Sequence, residues 1–343
     1  MTDIVIMLVI FPIVLFTNCK LFGKEYRENI PTRQDTNFLK GVAALMVVFA
    51  HYTTWMEAGI GLPVILIPYK SLGPLGVAIF MFLSGYGLYM SSKWDKLKLS
   101  FILKRLKNVY LPYIVIRVLT LAVGGYDFSV GEGIRYIIGF SIKPAWFIVV
   151  ILLLYIGYFM VSWMKSGKLL FLYLYTIIIS TVFLYTMGID HSNWFANNIS
   201  FPIGVTFAVY HDKIIEQIKR NYTLYLIITI ISFLVCSALY LLFKSDYIFW
   251  AKSISGVLLS ICCILFLMKF SFESRPMIEI GRLSLYVYLI HSPLFRIVEK
   301  TTGLRQPIYV LLFFIGTVFI AYVCSRLVAL LDKGLLIFCK FRR

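Results

Sequence analysis

Long apolar runs recur along the 343-residue chain, and they constrain its fold more than any other feature. Hydrophobic residues make up 60% of the chain and charged residues only 14%, an excess that a soluble domain of this size cannot bury. A bilayer core is spanned by roughly 20 apolar residues in a helix, and in lipid the backbone must satisfy its own hydrogen bonds. The runs therefore predict transmembrane helices, because the alternating strands of a lipid-spanning barrel are absent from the sequence.

The apolar runs predict an all-α, polytopic transmembrane bundle of about eleven helices, with no soluble domain. We place the helices at about 4–18, 38–56, 74–91, 109–124, 145–164, 168–187, 199–210, 222–243, 248–267, 280–297 and 307–331. The first run is not interpreted as a signal peptide, since it lacks a basic start and a small-residue cleavage site. The runs at 4–18 and 199–210 are the shortest, and the orientation depends on both of them spanning the membrane.

Lysine and arginine alternate between the two sides of the predicted bundle. Of the 33 such residues, 24 lie in the segments 19–40, 92–108, 165–168, 213–220, 269–282 and 326–343, and the remaining 9 lie elsewhere. Because cytoplasmic loops are enriched in these residues, the pattern predicts an external N-terminus and a cytoplasmic C-terminus. The same bias accounts for the net charge of +17 without a nucleic-acid partner. The sequence therefore predicts a multi-pass protein of the cell membrane.

Two histidines fall inside predicted spans, where an ionisable side chain is costly and by default marks function. His51 lies on the same helix face as Lys40 and about 16 Å deeper than this lysine, which stands at the cytoplasmic edge. His291 lies at a similar depth on a helix that also enters from the cytoplasm. The alternative interpretation is that each histidine only forms a hydrogen bond with a neighbouring helix.

Two hydroxyl-bearing residues are predicted at the depth of the histidines. Ser84 reaches the midplane on a helix that descends from the outer side, and Tyr288 shares a helix face with Ser284 and His291. Positions from three separate spans thus converge on one level of the membrane, which favours a site there. As alternatives, Ser84 next to Gly85 fits close helix packing, and Tyr288 fits an ordinary packing aromatic.

Five segments, three of which contain these residues, resemble the acyltransferase-3 family of membrane-bound acyltransferases. They are 40–51 (KGVAALMVVFAH), 76–86 (GVAIFMFLSGY), 105–113 (RLKNVYLPY), 145–148 (AWFI) with Tyr155, and 280–293 (IGRLSLYVYLIHSP). Their order and spacing between residues 33 and 330 carry the resemblance more than any single segment does. Two positions depart from the family pattern: Asn108 replaces a second arginine, and Leu285 replaces an aromatic residue.

The resemblance implies a membrane acyltransferase that acts as an O-acetyltransferase, with residues 33–343 as the acyltransferase-3-like domain. Residues 1–32 would add one N-terminal transmembrane helix and a basic cytoplasmic loop. An acyl-CoA such as acetyl-CoA would be the cytoplasmic donor, as a substrate and not as a bound cofactor. The acceptor would be a hydroxyl of a cell-surface polysaccharide or another glycan.

The resemblance also implies roles for the residues at depth and at the cytoplasmic mouth. His51 would act as general base, and His291, Ser84 or Tyr288 would orient it or donate to the thioester oxyanion. The cations that would hold the CoA phosphates are Lys40, Arg105 and Lys107. As an alternative, these three cations anchor lipid headgroups or only set the topology.

Candidate acceptor contacts lie on the outer side. Trp146 belongs to one of the five segments, and a polar cluster at Asp190, Asn193 and Trp194 combines hydrogen-bonding side chains with an aromatic ring, as carbohydrate sites do. A solvated loop with Trp194 at the membrane interface explains this cluster somewhat better. No metal site is expected, because the four histidines lack metal-ligand spacing, and the six cysteines are interpreted as apolar side chains and not as disulfides.

A multi-pass transporter or flippase of a glycan or a small solute is the alternative function from another class. Such a protein would also have many helices with polar groups at the midplane, but we see no inverted repeat between the two halves of the chain. A polysaccharide polymerase would require longer external loops than the sequence predicts. Transfer of labelled acetyl groups from acetyl-CoA to a membrane glycan distinguishes the acyltransferase from both.

Overall fold

A computed structural model describes residues 6–59, 61–92, 97–124, 128–138, 146–163, 167–186, 197–242, 248–302 and 310–341. Within these ranges the chain is almost entirely helical. The helices are α1 (Phe11–Phe16), α2 (Arg33–Gly59), α3 (Leu72–Ser92), α4 (Leu99–Ala122), α5 (Val130–Ile138), α6 (Trp146–Ser162), α7 (Gly167–Thr186), α8 (Ser200–Val209), α9 (His211–Arg220), α10 (Tyr222–Leu242), α11 (Ile248–Lys269), α12 (Arg275–Arg282), α13 (Ser284–Thr302) and α14 (Val310–Phe341). A π-helix (Ile6–Ile10) precedes α1, a 3-10 helix (Val64–Ser71) precedes α3, and strands β1 (Cys19–Leu21) and β2 (Phe270–Phe272) form one antiparallel pair.

The predicted all-α membrane bundle is confirmed in its class. Within the described ranges, five helical segments are long and apolar enough to cross a membrane: Arg33–Ala58, Val64–Ser92, Tyr222–Leu242, Trp250–Lys269 and Val310–Lys333. Shorter apolar helices occur at Met7–Phe16, Phe147–Ser162, Gly167–Thr181 and Ser200–Val209. Every one of the predicted segments contains helix, but the count of about eleven spans stays a prediction, since these lengths do not establish it.

Three short helices, α5, α9 and α12, were missing from the sequence-based assignment. All three are amphipathic, with apolar residues on one face only, so they produce no continuous apolar run. In α12 the buried face carries Met277, Ile278 and Gly281, whereas Arg275 and Arg282 are exposed. The helix predicted at 280–297 is therefore wrong at its start: the chain breaks at Leu283, and α13 begins at Ser284.

Helix α2 lies at the centre of the bundle and packs against α3, α12 and α13. Its contact with α12 is a backbone contact, made possible by glycine on both sides. A Cβ atom at Gly281 would overlap the Asn37 carbonyl oxygen, and a Cβ atom at Gly41 would overlap the Met277 carbonyl oxygen. A comparable contact joins α3 and α8, where Gly85 and Gly204 face backbone carbonyls of the opposite helix. Small residues thus allow the central helices to approach more closely than larger side chains would permit.

The segments predicted to be cytoplasmic meet at one end of the bundle. Strand β1 pairs with β2, the His211 ring lies 2.7 Å from the Ile30 carbonyl oxygen, and Lys107 forms an ion pair with Asp332. At the opposite end, Lys70 forms an ion pair with Glu57 at 2.6 Å. Both members of each contact lie on the same predicted side of the membrane. The contacts agree with the alternation of the charges.

A buried ion pair fastens the N-terminal segment to this end of the bundle. The Arg27 guanidinium donates to both carboxylate oxygens of Asp35 at 3.1 Å, and it also donates to the carbonyl oxygens of Leu267 and Phe270. Asp35 is 1% exposed, and its carboxylate accepts two further hydrogen bonds from the backbone and side chain of Thr32. The carboxylate is thereby fully compensated inside the protein.

Candidate functional site

The two intramembrane histidines predicted from the sequence are in direct contact. His51 of α2 and His291 of α13 approach to 2.6 Å between Nδ1 of His51 and Nε2 of His291, and their rings are nearly parallel at a centroid distance of 4.8 Å. A separation of 2.6 Å requires one nitrogen to donate a hydrogen and the other to accept it. The sequence predicted a common depth for the two residues, and the structure shows that they also share a hydrogen bond.

The contacts of His291 determine the tautomers of both rings. Nδ1 of His291 lies 3.2 Å from the Val287 carbonyl oxygen, which can only accept, so this nitrogen carries the hydrogen. In a neutral His291 the opposite nitrogen, Nε2, is then the acceptor, and Nδ1 of His51 donates to it. The remaining nitrogen, Nε2 of His51, is left with a free lone pair. This arrangement is the one required of a general base that is oriented by a second residue.

The two histidines differ in their access to open space. The side chain of His291 is 2% exposed, and Leu289 and Ile290, which precede it along α13, are buried as well. The His51 side chain is exposed, although the adjacent Ala50 and Tyr52 are buried and protein atoms surround the ring. His51 therefore borders a space within the bundle, whereas His291 supports it from the packed side. Of the two rings, only that of His51 is open to a substrate.

The other residues predicted at this depth lie on either side of the histidine pair. The ring of Tyr288 is 5.8 Å from that of His291 and 5.0 Å from that of Phe147. Ser84 faces the hydroxyl of Tyr155, a residue of α6 that belongs to the same family-like segment as Trp146. The structure thus brings Tyr288 to the histidines by ring contact and gives Ser84 a different partner, Tyr155.

Sequence reasoning missed a buried cation beside the histidines. Arg117 of α4 is 2% exposed, lies over the rings of Tyr113 and Tyr136, and donates to the Tyr136 hydroxyl at 2.5 Å. Its charge acts on both His291 and Tyr288. An arginine in the apolar run 109–124 was the available signal, since ionisable residues within a span mark function by default. Lys252 of α11, which is 8% exposed, is a second buried cation of this kind.

The predicted cations at the mouth separate into two groups. Lys40 lies within electrostatic range of Arg105 and of Arg33, so three cations approach each other at this end of the bundle. Arg105 donates to the Ser91 hydroxyl at 3.0 Å, and its charge also reaches Tyr155. Lys107 points elsewhere and pairs with Asp332. The structure thus brings Lys40 and Arg105 together, whereas the charge of Lys107 is already matched by a carboxylate.

The predicted acceptor contacts fall largely outside the part of the chain that the structure describes. Asp190, Asn193 and Trp194 lie in the undescribed segment 187–196. Trp146 is the first residue of α6, and its side chain is also outside the described part. Among the described residues, no group of three or more His, Cys, Asp or Glu side chains could hold a metal ion.

Comparison with known proteins adds one finding. A family model described as an acyltransferase domain, the acyltransferase-3 domain, matches residues 34–326 of the chain. This match covers the histidine pair, Lys40, Arg105 and the buried Arg117. No curated protein and no solved structure matches the chain.

Proposed function

The chain belongs to the acyltransferase-3 family, and on this premise we propose that it transfers an acyl group from cytoplasmic acyl-CoA to a hydroxyl of a cell-surface glycan. Acetyl is the acyl group that we favour, and the bilayer is the plasma membrane with the N-terminus outside. The observation that carries the proposal is the free lone pair of His51 Nε2, held in place by His291 beside an internal space. An acyl transfer to a hydroxyl requires a base at such a position.

In this proposal the reaction is a direct transfer. His51 Nε2 takes the proton of the acceptor hydroxyl while the hydroxyl oxygen attacks the carbonyl carbon of the thioester. The tetrahedral intermediate collapses, the carbon–sulfur bond breaks, and the CoA thiolate takes the proton from His51. The imidazolium formed in between is stabilised by its hydrogen bond to His291. Both products, an ester and free CoA, are then neutral at the reacting atoms.

The residues around the pair have supporting roles in the same proposal. Arg117 provides a positive charge on one side of the histidines, which favours the negative charge that develops on the thioester oxygen. Tyr288 and Phe147 form an aromatic wall beside His291. Lys40 and Arg105 lie at the mouth, where cations attract the phosphates of CoA. The proposal also includes about eleven membrane spans. It further includes contacts with the acceptor, which we assign to Trp146, Asp190, Asn193 and Trp194.

The experiment follows label from radioactive acetyl-CoA into extractable glycan of membranes that contain the protein. His51→Ala should reduce the transfer by about 10²–10⁴-fold, since this is the usual contribution of a positioned general base. His211→Gln is the matched control, because His211 contacts the Ile30 carbonyl oxygen and takes no part in the pair. Full activity of His51→Ala, at equal membrane content, would contradict the proposal. A wild-type protein that moves a glycan across the bilayer but never labels it would favour a flippase.

A further inference from the structure

A polar cavity of about 960 Å³ opens at the end of the bundle where the cations gather. Three exposed arginines, Arg33, Arg275 and Arg282, line it, and we call this cavity the arginine basin. The rest of its wall consists of Asn18, Gln34, Asn37, Glu273, Ile278 and Glu279. Its volume suits a small organic ligand, and its lining provides donors for a polar one.

The carboxylates of the arginine basin are already neutralised. Glu273 pairs with Lys20 at 3.0 Å, and the hydrogen bond from this lysine holds the pKa of Glu273 below its usual value. Glu279 pairs with Arg282 at 2.5 Å. Among the described residues, Arg33 and Arg275 form no ion pair. The basin therefore presents two uncompensated guanidinium groups, which match the charge and geometry of a phosphate.

Two helices begin at the basin, and one of them adds to its attraction for anions. Arg33 is the first residue of α2, and Arg275 is the first residue of α12. The Ser274 hydroxyl, which stands at the cap position of α12, donates to the Val14 carbonyl oxygen and leaves the helix start without a side-chain cap. The N-terminal amides of α12 and the partial positive charge of this helix favour a bound anion there, whereas the start of α2 is already capped by its own side chains.

The basin is aligned with the reaction site along a single helix. Arg33, Lys40 and His51 are separated by seven and eleven residues, so they lie on nearly the same face of α2. At 1.5 Å per residue, Lys40 is about 10 Å and His51 about 27 Å from Arg33. Lys40, between the two, is within electrostatic range of Arg33. One face of α2 therefore carries Arg33 of the basin, Lys40 and the proposed general base.

We propose that the arginine basin binds the 3′-phosphorylated nucleotide end of the acyl-CoA donor, with Arg33 and Arg275 on its phosphates. CoA suits this stripe because its thioester and its 3′-phosphate lie at opposite ends of an extended molecule. The inference rests on the proposed function, since it assumes a CoA thioester as the donor. A phospholipid headgroup has the same phosphate chemistry, and the test must separate these two sources.

The experiment measures binding to the full-length protein in nanodiscs of zwitterionic phosphatidylcholine. The probes are CoA and dephospho-CoA, which lacks only the 3′-phosphate. The wild type should bind CoA about tenfold more tightly, and Arg275→Gln should remove this preference without weakening dephospho-CoA. Arg220→Gln is the matched control, because Arg220 is an exposed arginine paired with Glu216 and lies outside the basin. Size-exclusion profiles of the variants verify that each is folded.

Three results would overturn the inference, and they are distinguishable. The wild type could bind CoA and dephospho-CoA with equal affinity, or Arg275→Gln could weaken the binding of both ligands equally. Either result would show that the basin does not bind the 3′-phosphate, and it would leave the proposed function intact. A second result is that the wild type loses its preference for CoA over dephospho-CoA in discs that contain anionic phosphatidylglycerol. If the wild type also retained that lipid and Arg275→Gln did not, the basin would be assigned to a lipid headgroup. Absence of any CoA binding by the wild type would remove the donor itself, and the proposed function with it.

Discussion

Two of the long apolar helices have opposite surroundings. In the most apolar stretch of Arg33–Ala58, 72% of the residues are buried within the protein, whereas in Tyr222–Leu242 only 6% are. The buried helix is the less apolar of the two and carries Lys40 and His51, while Tyr222–Leu242 is almost purely apolar and has side chains such as Leu234 exposed. In a soluble protein the more apolar helix would be the buried one.

The difference shows that this protein sorts its helices by polarity and not by hydrophobic burial. Lipid is as apolar as a leucine side chain, so an apolar helix gains little by moving inward, and packing and hydrogen bonds hold the centre together instead. Polar and ionisable groups must face the bundle interior, where partners such as His291 and Asp35 are available. The centre should therefore respond strongly to substitutions that the outer helices tolerate.

The largest expected effect concerns the ion pair at the start of α2. Asp35→Asn should lower the free energy of unfolding by about 3–5 kcal/mol, because the substitution leaves the buried Arg27 guanidinium uncompensated. The measurement is unfolding by a denaturing detergent in mixed micelles.

The matched control removes an exposed carboxylate. Glu216→Gln breaks the pair with Arg220 on the surface of α9 and should cost no more than about 1 kcal/mol. If the two substitutions had equal effects, the distinction between the centre and the surface would not hold for charges.

A smaller effect is expected from adding one methyl group to the glycine contact. Gly281→Ala should destabilise the protein by about 1–3 kcal/mol, since the new Cβ atom would overlap the Asn37 carbonyl oxygen and push α12 away from α2. The melting temperature of the purified protein in detergent, followed by the loss of its monodisperse fraction, reports this change.

Gly316→Ala provides the control on the outer helix α14. No described atom lies within 4 Å of the position of its Cβ, and alanine is the better helix former by about 0.5–1 kcal/mol, so the variant should be as stable as the wild type or more so. An equal loss of stability in both glycine variants would contradict close backbone packing between α2 and α12.

The smallest effect is expected at the lipid-facing helix itself. Leu234→Ala should change the free energy of unfolding by no more than about 0.5 kcal/mol, because Leu234 is 58% exposed on the apolar helix α10 and lipid takes the place of the lost side chain. The same detergent titration measures it. A decrease of several kcal/mol in the free energy of unfolding would mean that a further helix covers α10. The contrast between a buried α2 and a lipid-facing α10 would then be wrong.

The depth of His51 and His291 was predictable, because the helical rise converts sequence separation into distance. Their hydrogen bond was not, since rotation and tilt of α2 and α13 are set by packing against other helices. The contacts of Lys107 show the same limit: the sequence predicted this residue in a loop before the helix at 109–124, whereas it lies within α4, and its partner Asp332 is more than two hundred residues away. Arg117 was missed, even though its position inside an apolar run was visible.

The sequence by itself determined the membrane class, the position of the apolar helices and the alternation of charged segments. These properties depend on local composition, and the bilayer applies the same rule to every segment. The tertiary structure alone decided which helices are central, which histidine nitrogen has a free lone pair and which arginines surround the basin. Such properties arise from contacts between residues far apart in the chain, for example the glycine contact of α2 with α12, and no local pattern encodes them.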